Sequence, residues 1–420
     1  MTLPATGQLN EANKQEGGRR QLVIAALGIT QIIAWGASYY LPAVLADPIS
    51  VSTGWTLPQI IGGLSIGLLL AGLISVRTGH AIYEKGGRPV LITSTLVHVI
   101  GLLVLASAET LLVYYLAWVI LGFAMGTGLY DAVFSTLGRL YGATARTAIT
   151  ILTLWAGFTS TVAWPFAAYM VDQFGWRQTC LAFAALLLFV SLPLIYFVVP
   201  AEEQRESLRR RPSKLPSAAN DDQAAKTQAV APVDRYFLLL AAALTTASVV
   251  NSIWFIHILT LLQATGTTLA VAVGLAALLG PTQFVARVAE MLFGQRFHPL
   301  WTMITGLSLM TLSFALLGGI ALPALAVVCF GIGQGVFSIA RGTVPLALYG
   351  AQQYPVILGR LAMPGLFAQA VAPSIGAIAI EFWGAYNVIY MMVGVTAFAV
   401  VAASALKIAL RHRTPLTQGS

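Results

Sequence analysis

The chain has 420 residues, of which 58% are hydrophobic and only 9% charged, whereas soluble domains carry about a quarter charged residues. A water-soluble globule is therefore excluded, and the formal net charge of +8 is to be explained by a membrane face rather than by nucleic acid. The cysteines, Cys180 and Cys329, both lie in apolar runs, so they supply neither a disulfide framework nor a zinc site.

Residues 1–21 are polar, carrying Glu11, Lys14, Glu16, Arg19 and Arg20. The apolar run behind them is too long for a signal peptide, so they read as a retained cytosolic tail. A spanning helix needs about 20 mostly apolar residues. Such stretches are predicted at 22–45, 57–76, 90–107, 111–131, 146–171, 178–199, 236–262, 268–287, 299–318, 321–340, 356–379 and 385–407. They are continuous rather than alternating, which excludes a β-barrel. The expected fold is an all-α membrane protein with 12 transmembrane helices, six in an N-terminal bundle at 22–199 and six in a C-terminal bundle at 236–407. Residues 200–235 are rich in charge and proline (Glu202, Arg209, Arg210, Arg211, Pro212, Pro216) and read as a cytoplasmic linker, with a second cytosolic tail at 408–420.

Lys and Arg collect on the tails, the linker and the even-numbered connections, with Arg177 the exception, while Asp47, Glu109, Asp172 and Glu381 fall on the opposite side. Basic loops stay on the cytoplasmic side, so both termini are expected there.

An internal repeat runs at an offset of 208 to 210 residues. Arg77 and Pro89 recur as Arg287 and Pro299. Leu116, Ala117, Gly122 and Gly126 recur as Leu325, Ala326, Gly331 and Gly335. Leu140-Tyr141-Gly142 recurs as Leu348-Tyr349-Gly350, and Gly157 with Pro165 as Gly365 with Pro373. Two six-helix halves in one orientation, joined by a long loop, are the parallel repeat of secondary transporters, with the substrate site between the halves.

Over essentially its whole length the chain resembles the major facilitator superfamily. The segment Gly79-His80-Ala81-Ile82-Tyr83-Glu84-Lys85-Gly86-Gly87-Arg88 is similar to the family's loop motif between the second and third spans. Spacing from Gly79 puts Tyr83 where the motif has its acid, and spacing from Gly87 puts Glu84 there. Trp118 stands where proton-coupled members often carry an arginine, and Trp164-Pro165-Phe166 departs from the antiporter signature.

Polar groups within hydrocarbon are costly and mark candidate sites. Gln31, Trp35 and Tyr39 fall at i, i+4 and i+8 of the first stretch, and Asn251, Trp254 and His257 at i, i+3 and i+6 of the seventh. Each set is expected to share a helix face and the two to wall one substrate cavity, with Gln283, Gln334 and Gln369 adding hydrogen bonds. Interfacial anchoring of the aromatics and interhelical bonding of the amides are the alternatives. Arg287 and Glu290 could pair three residues apart. Arg287 reads as a ligand for a substrate anion, as the resemblance to monocarboxylate carriers implies, or as part of a gate, because its repeat mate Arg77 abuts a loop. Asp131 aligns within one position of Arg341, which suits a salt bridge between the halves. A surface carboxylate is the other reading of Asp131. Arg77, Glu84, Arg88, Asp131, Glu290 and Arg341 are the candidates for gating or proton coupling, the proton being motivated by His257, Asp131 and Glu290. His98 reads as a packed histidine.

There is no phosphate loop, metal-ligand cluster or nucleophile motif, so no enzyme, cofactor, metal site or nucleic-acid partner is expected. The expectation is a proton-coupled secondary transporter of the bacterial inner membrane, working as a monomer by alternating access. Its expected solute is a small organic molecule, with an anion such as a monocarboxylate favoured. An efflux carrier for drugs or metalloids, or a non-transporting sensor on a carrier scaffold, are the alternatives.

Overall fold

Residues 6–201, 233–320 and 322–411 are described by a computed structural model. Residues 1–5, most of the linker expected at 200–235 and residues 412–420 of the carboxy-terminal tail lie outside them. No strand occurs among the described residues.

Twelve passes follow one another in the expected order, numbered here as spans. Spans 1 to 6 are Thr6–Gly36 continued by Pro42–Thr53, Leu57–Lys85, Gly87–Ala106, Leu111–Gly128 continued by Tyr130–Tyr141, Ala145–Gly157 continued by Thr159–Phe174, and Trp176–Leu186 continued by Leu192–Val198. Spans 7 to 9 are Arg235–Gln263, Leu269–Ala276 continued by Leu279–Phe293, and Pro299–Gly319. Pro323–Trp383 holds spans 10 and 11, which part at Gly350, where φ is 69°. Only a residue without Cβ takes that angle at no steric cost. Ala385–Arg411 is span 12. Nine of the described helices are long and apolar enough to cross a membrane, and the chain is a multi-pass membrane protein. Span 1 falls outside those nine because its helix ends at Gly36, too soon after Arg19 and Arg20 for a long apolar run, and span 5 because Phe158 divides it.

The helices outrun the hydrophobic stretches that predict them. Leu57–Lys85 has 29 residues, about 43 Å at about 1.5 Å per residue, against about 30 Å of hydrocarbon. The excess lies at the end of the bundle where span 6 stops and span 7 begins, termed here the linker end.

The repeated glycines do the same work in both halves. A Cβ on Gly122 would stand 2.5 Å from the Gly67 carbonyl oxygen, and one on Gly335 2.7 Å from that of Gln283. Span 4 thus lies against span 2 as span 10 lies against span 8, at a separation that larger residues would forbid. One buried apolar cluster is made only of residues from spans 7 to 12, centred on Trp254, Phe314 and Phe330. Two others belong to spans 1 to 6, with Ala370 in one and Leu346, Tyr354 and Leu358 in the other crossing from the second half.

Candidate functional site

Two interruptions of helical geometry build the site. Span 1 loses its regular ladder at residues 37–41, ahead of Pro42, and presents Trp35 and Tyr39 just before and within the break. Span 4 breaks at Leu129, whose ψ of −166° is extended. That break leaves the Gly128 carbonyl without a helical partner, and buried backbone oxygens need one. Gln31, 2% exposed, supplies it: Nε2 donates to Gly128 O at 2.8 Å, and Oε1 accepts from Trp35 Nε1 at 3.2 Å. The predicted stripe is therefore a chain of dependence in which Gln31 holds the indole.

Trp35, Tyr39, Tyr130, Asp131, Arg341 and Gln369 line one cleft between the halves, together with small residues of span 2, around a cavity of about 40 Å³. Its lining is largely apolar with a few polar groups, as in ligand pockets. At its linker-end side Arg341 Nη2 donates to Asp131 Oδ1 at 2.9 Å and Oδ2 at 2.7 Å. The partners are 210 residues apart, the period of the repeat, so the halves meet through equivalent positions carrying opposite charges. Asp131 also sits in the first turn of Tyr130–Tyr141, where the helix dipole favours an anion. Both two-point faces of a guanidinium use Nη2, so Asp131 competes there with a carboxylate seeking a forked grip on Arg341.

Arg287 and Glu290 of span 8 do not pair with each other, contrary to the expectation. Arg287, 7% exposed, donates through Nε to Ser338 Oγ at 3.2 Å, through Nη1 to Thr153 O at 3.1 Å, and through Nη2 to Gln283 Oε1 at 3.3 Å. It thereby ties span 8 to span 5 in the other half, and Gln283 serves as its acceptor. Glu290 instead accepts from Thr302 Oγ1 at 2.8 Å and faces Arg146 Nη2 at 3.7 Å. Arg146 donates further to Gly294 O and Phe297 O, each at 2.8 Å. Beside it, His298 caps span 9 by accepting from Leu300 N at 3.2 Å. Burial, then the charges of Arg146 and Lys407, hold the His298 imidazole below the usual histidine range.

The other expected residues are dispersed. Trp254 is fully buried against Phe314 and Phe330 at 5.2 and 4.9 Å and does not reach the cleft. Asn251 bonds its own helix at Ala247 O, leaving Oδ1 without a partner. His257 Nε2 meets Pro373 O at 2.9 Å, and Ser252 donates to Gln369 O at 3.1 Å. Pro373 has no amide to offer the latter carbonyl, which accounts for the serine. Gln334 keeps a buried Oε1 unpaired. Arg77 and Glu84 are exposed, and no hydrogen bond or ion pair reaches either among the described residues. Arg88 donates to Tyr196 O and stacks over that ring, within its own half. Trp118 fills the core beneath Gly63 and Gly67. His98, 1% exposed, is packed as expected, although its Nε2 and the nearby Ser191 Oγ have no partner.

Sequence reasoning passed over Tyr130, Arg146 and the Ser75–Gly359 contact. Tyr130 was legible as the neighbour of Asp131, and its ring lies 4.8 Å from Trp35. Ser75 Oγ donates to Gly359 O at 2.9 Å, joining span 2 to span 11, where a Cβ on Gly359 would fall 2.4 Å from the Ser75 carbonyl. With Asp131–Arg341, Arg146–Glu290 and Arg287–Thr153, this contact fastens the halves together from the level of Arg287 down to the linker end. No hydrogen bond joins the halves nearer the far end among the described residues.

A family model described as Major Facilitator Superfamily matches residues 26–293. No curated protein matches the chain by sequence. Among solved structures, the human organic anion transporter MFSD10 (TETRAN) is 17% identical with a TM-score of 0.66, over 92% of this chain and 99% of that one. The transporter FucP, in an outward conformation, is 12% identical with a TM-score of 0.68, over 91% and 98%. At these identities the likeness is one of fold.

Proposed function

The chain belongs to the Major Facilitator Superfamily, whose members are membrane carriers rather than enzymes, and we propose that it moves a small organic anion by alternating access coupled to protons. The observation that carries this reading is the Asp131–Arg341 pair at the base of the cleft. A substrate carboxylate that takes a forked grip on Arg341 competes with Asp131 for Nη2 and, in this reading, displaces it. Left beside a second carboxylate, Asp131 is better neutral than charged. One proton taken by Asp131 for each anion bound keeps the site's charge constant, from Arg⁺ with Asp⁻ to Arg⁺ with substrate⁻. The same exchange removes an ion pair that fastens the linker end, so binding and opening share one event.

Orientation in this reading follows the charges. Arg19, Arg20, Lys85, Arg139, Arg296, Arg360 and Arg411 lie at the linker end, and Asp47, Glu109, Asp172 and Glu381 at the other, which supports cytoplasmic termini in a bacterial inner membrane. Both halves of the cleft come from one chain, so a monomer suffices.

The test is reconstitution into liposomes holding a pH-sensitive dye, challenged with pooled organic anions, cations and neutral compounds that do not cross the protein-free bilayer. Inward anion flux should acidify the lumen, and Asp131→Asn should keep anion exchange while losing the proton. A response to cations or neutral compounds alone, or anion flux indifferent to an imposed pH gradient, would overturn the reading.

A further inference from the structure

We infer, resting on the reading of an anion carrier, that the solute is an aromatic carboxylate whose ring lies against Trp35 and Tyr130 while its carboxylate reaches Arg341. The three side chains line one cleft. A cation at the base with an aromatic wall above it matches a molecule bearing a charge at one end and a flat apolar body at the other.

The wall is specific in composition. Trp35 has Tyr130 at 4.8 Å, Tyr39 at 5.3 Å and Tyr40 at 5.9 Å, and the array continues from Tyr40 to Trp164 at 5.7 Å and from Tyr130 to Phe134 at 5.3 Å. These rings come from spans 1, 4 and 5. Rings that serve only to pack are closed off, as Trp118, Trp254 and Tyr114 are at 1% exposure or less. Trp35, Tyr39 and Tyr130 are instead half-buried with a side toward the cleft. No hydrogen bond reaches the hydroxyls of Tyr39, Tyr40 or Tyr130 among the described residues.

The indole is also oriented. Its N–H is spent on Gln31 Oε1, and Gln31 is itself anchored on Gly128 O. A greasy wall needs no such clamp, because burial of apolar surface is indifferent to ring orientation. A stacked or edge-to-face ring pair does depend on it, since the quadrupole favours offset and T-shaped contacts. Gln31 is thus a positioning residue acting through Trp35. A cationic aromatic would meet the same rings favourably but would face Arg341 at the base.

Matched pairs test this: benzoate against cyclohexanecarboxylate, and phenylacetate against cyclohexylacetate, with acetate as a ringless control. Each pair shares charge and carbon skeleton and differs in the π-face. Dissociation constants would be measured by titration calorimetry on the purified full-length protein. The aromatic member should bind about three- to tenfold more tightly. Trp35→Leu should bring that ratio to about one while leaving the cyclohexyl affinities in place. Gln31→Leu should shrink the ratio too, whereas a purely structural role would weaken both members of a pair alike. Thermal unfolding of each variant shows whether it is folded. Equal affinities within both pairs for the wild-type protein, or acetate binding without any of the four, would overturn the aromatic assignment and leave the anion reading standing. Binding confined to cations or neutral compounds would overturn both.

Discussion

Spans 1 and 7 carry similar stripes of amide, indole and ring, yet one stripe walls the cleft and the other dissolves into the core. At about 100° per residue, the i, i+4 spacing of Gln31 and Trp35 drifts by only about 40°, and Tyr39 beyond them lies within the break at residues 37–41. The i, i+3, i+6 spacing of Asn251, Trp254 and His257 drifts the other way by about 60° per step. The second stripe therefore winds about 120° around its helix. That rotation delivers Trp254 to Phe314 and Phe330 and His257 to Pro373 of span 11. In span 1 the short step keeps Gln31 in contact with Trp35, and the break in the helix rather than its spacing puts Tyr39 in the cleft beside the indole.

The largest effect expected from this contrast is on stability. Trp254→Ala should cost about 3–5 kcal/mol, as removal of a buried aromatic does, and should lower the unfolding midpoint in detergent sharply. Trp35→Ala should cost less, about 1–3 kcal/mol, since it removes ring contacts at a partly open surface and leaves Gln31 Oε1 without its donor, and should act on ligand binding as well. Equal destabilisation by the two would erase the distinction between wall and core.

Much of the fold was legible because a bilayer leaves few options. Long apolar runs must be helices there, and the repeat gave their pairing. The Asp131–Arg341 bridge was legible through the same period. The repeated glycines of span 4 are packing positions, where a Cβ on Gly122 or Gly126 would stand 2.5 or 2.8 Å from a carbonyl oxygen of span 2. What stayed hidden depended on the third dimension. Arg146 stood at the predicted start of span 5 with nothing in its neighbourhood to indicate that Glu290, from another half, would face it. The Arg287–Glu290 pairing failed because helix neighbours are only one option for a side chain that also has Thr302, Ser338 and Thr153 within reach. The break at Leu129 carries no proline to announce it, so the role of Gln31 could not be foreseen beyond interhelical bonding.

Two ion pairs between the halves, among the described residues, sharpen a second contrast. Asp131 and Arg341 meet at 2.7 Å with side chains 18% and 26% exposed, whereas Arg146 and Glu290 stand 3.7 Å apart. Arg146 has two backbone carbonyls and Glu290 has Thr302, so each survives loss of the other better. Asp131→Ala should cost about 1–3 kcal/mol, discounted from the fully buried case for its partial exposure. It should also raise labelling of a cysteine placed at Ser135 from the linker end. The exchange Asp131→Arg with Arg341→Asp should recover part of both, a coupling that a double-mutant cycle measures. Glu290→Gln, which can still accept from Thr302, should cost less than about 1 kcal/mol. A larger loss from Glu290→Gln than from Asp131→Ala would mean that the span 5–span 8 contact is the main fastening of the halves.

The smallest expected effect separates the two halves at equivalent positions, Arg88-Pro89 at the start of span 3 and His298-Pro299 at the start of span 9. Only the second titrates near neutrality. His298 accepts from Leu300 N through Nδ1, a bond available only to the neutral ring, and burial with the nearby Arg146 and Lys407 charges lowers its proton affinity in the folded protein. Below the ordinary histidine value of about 6.5 the unfolded chain takes up a proton that the folded one resists, so stability falls as pH falls. Above that value the contribution is constant. The wild-type unfolding midpoint should therefore decline from pH 7 toward pH 5 by slightly more than that of His298→Asn, in which an amide oxygen keeps the cap without titrating. Superimposable midpoints across that window would show that His298 is as indifferent to protons as Arg88.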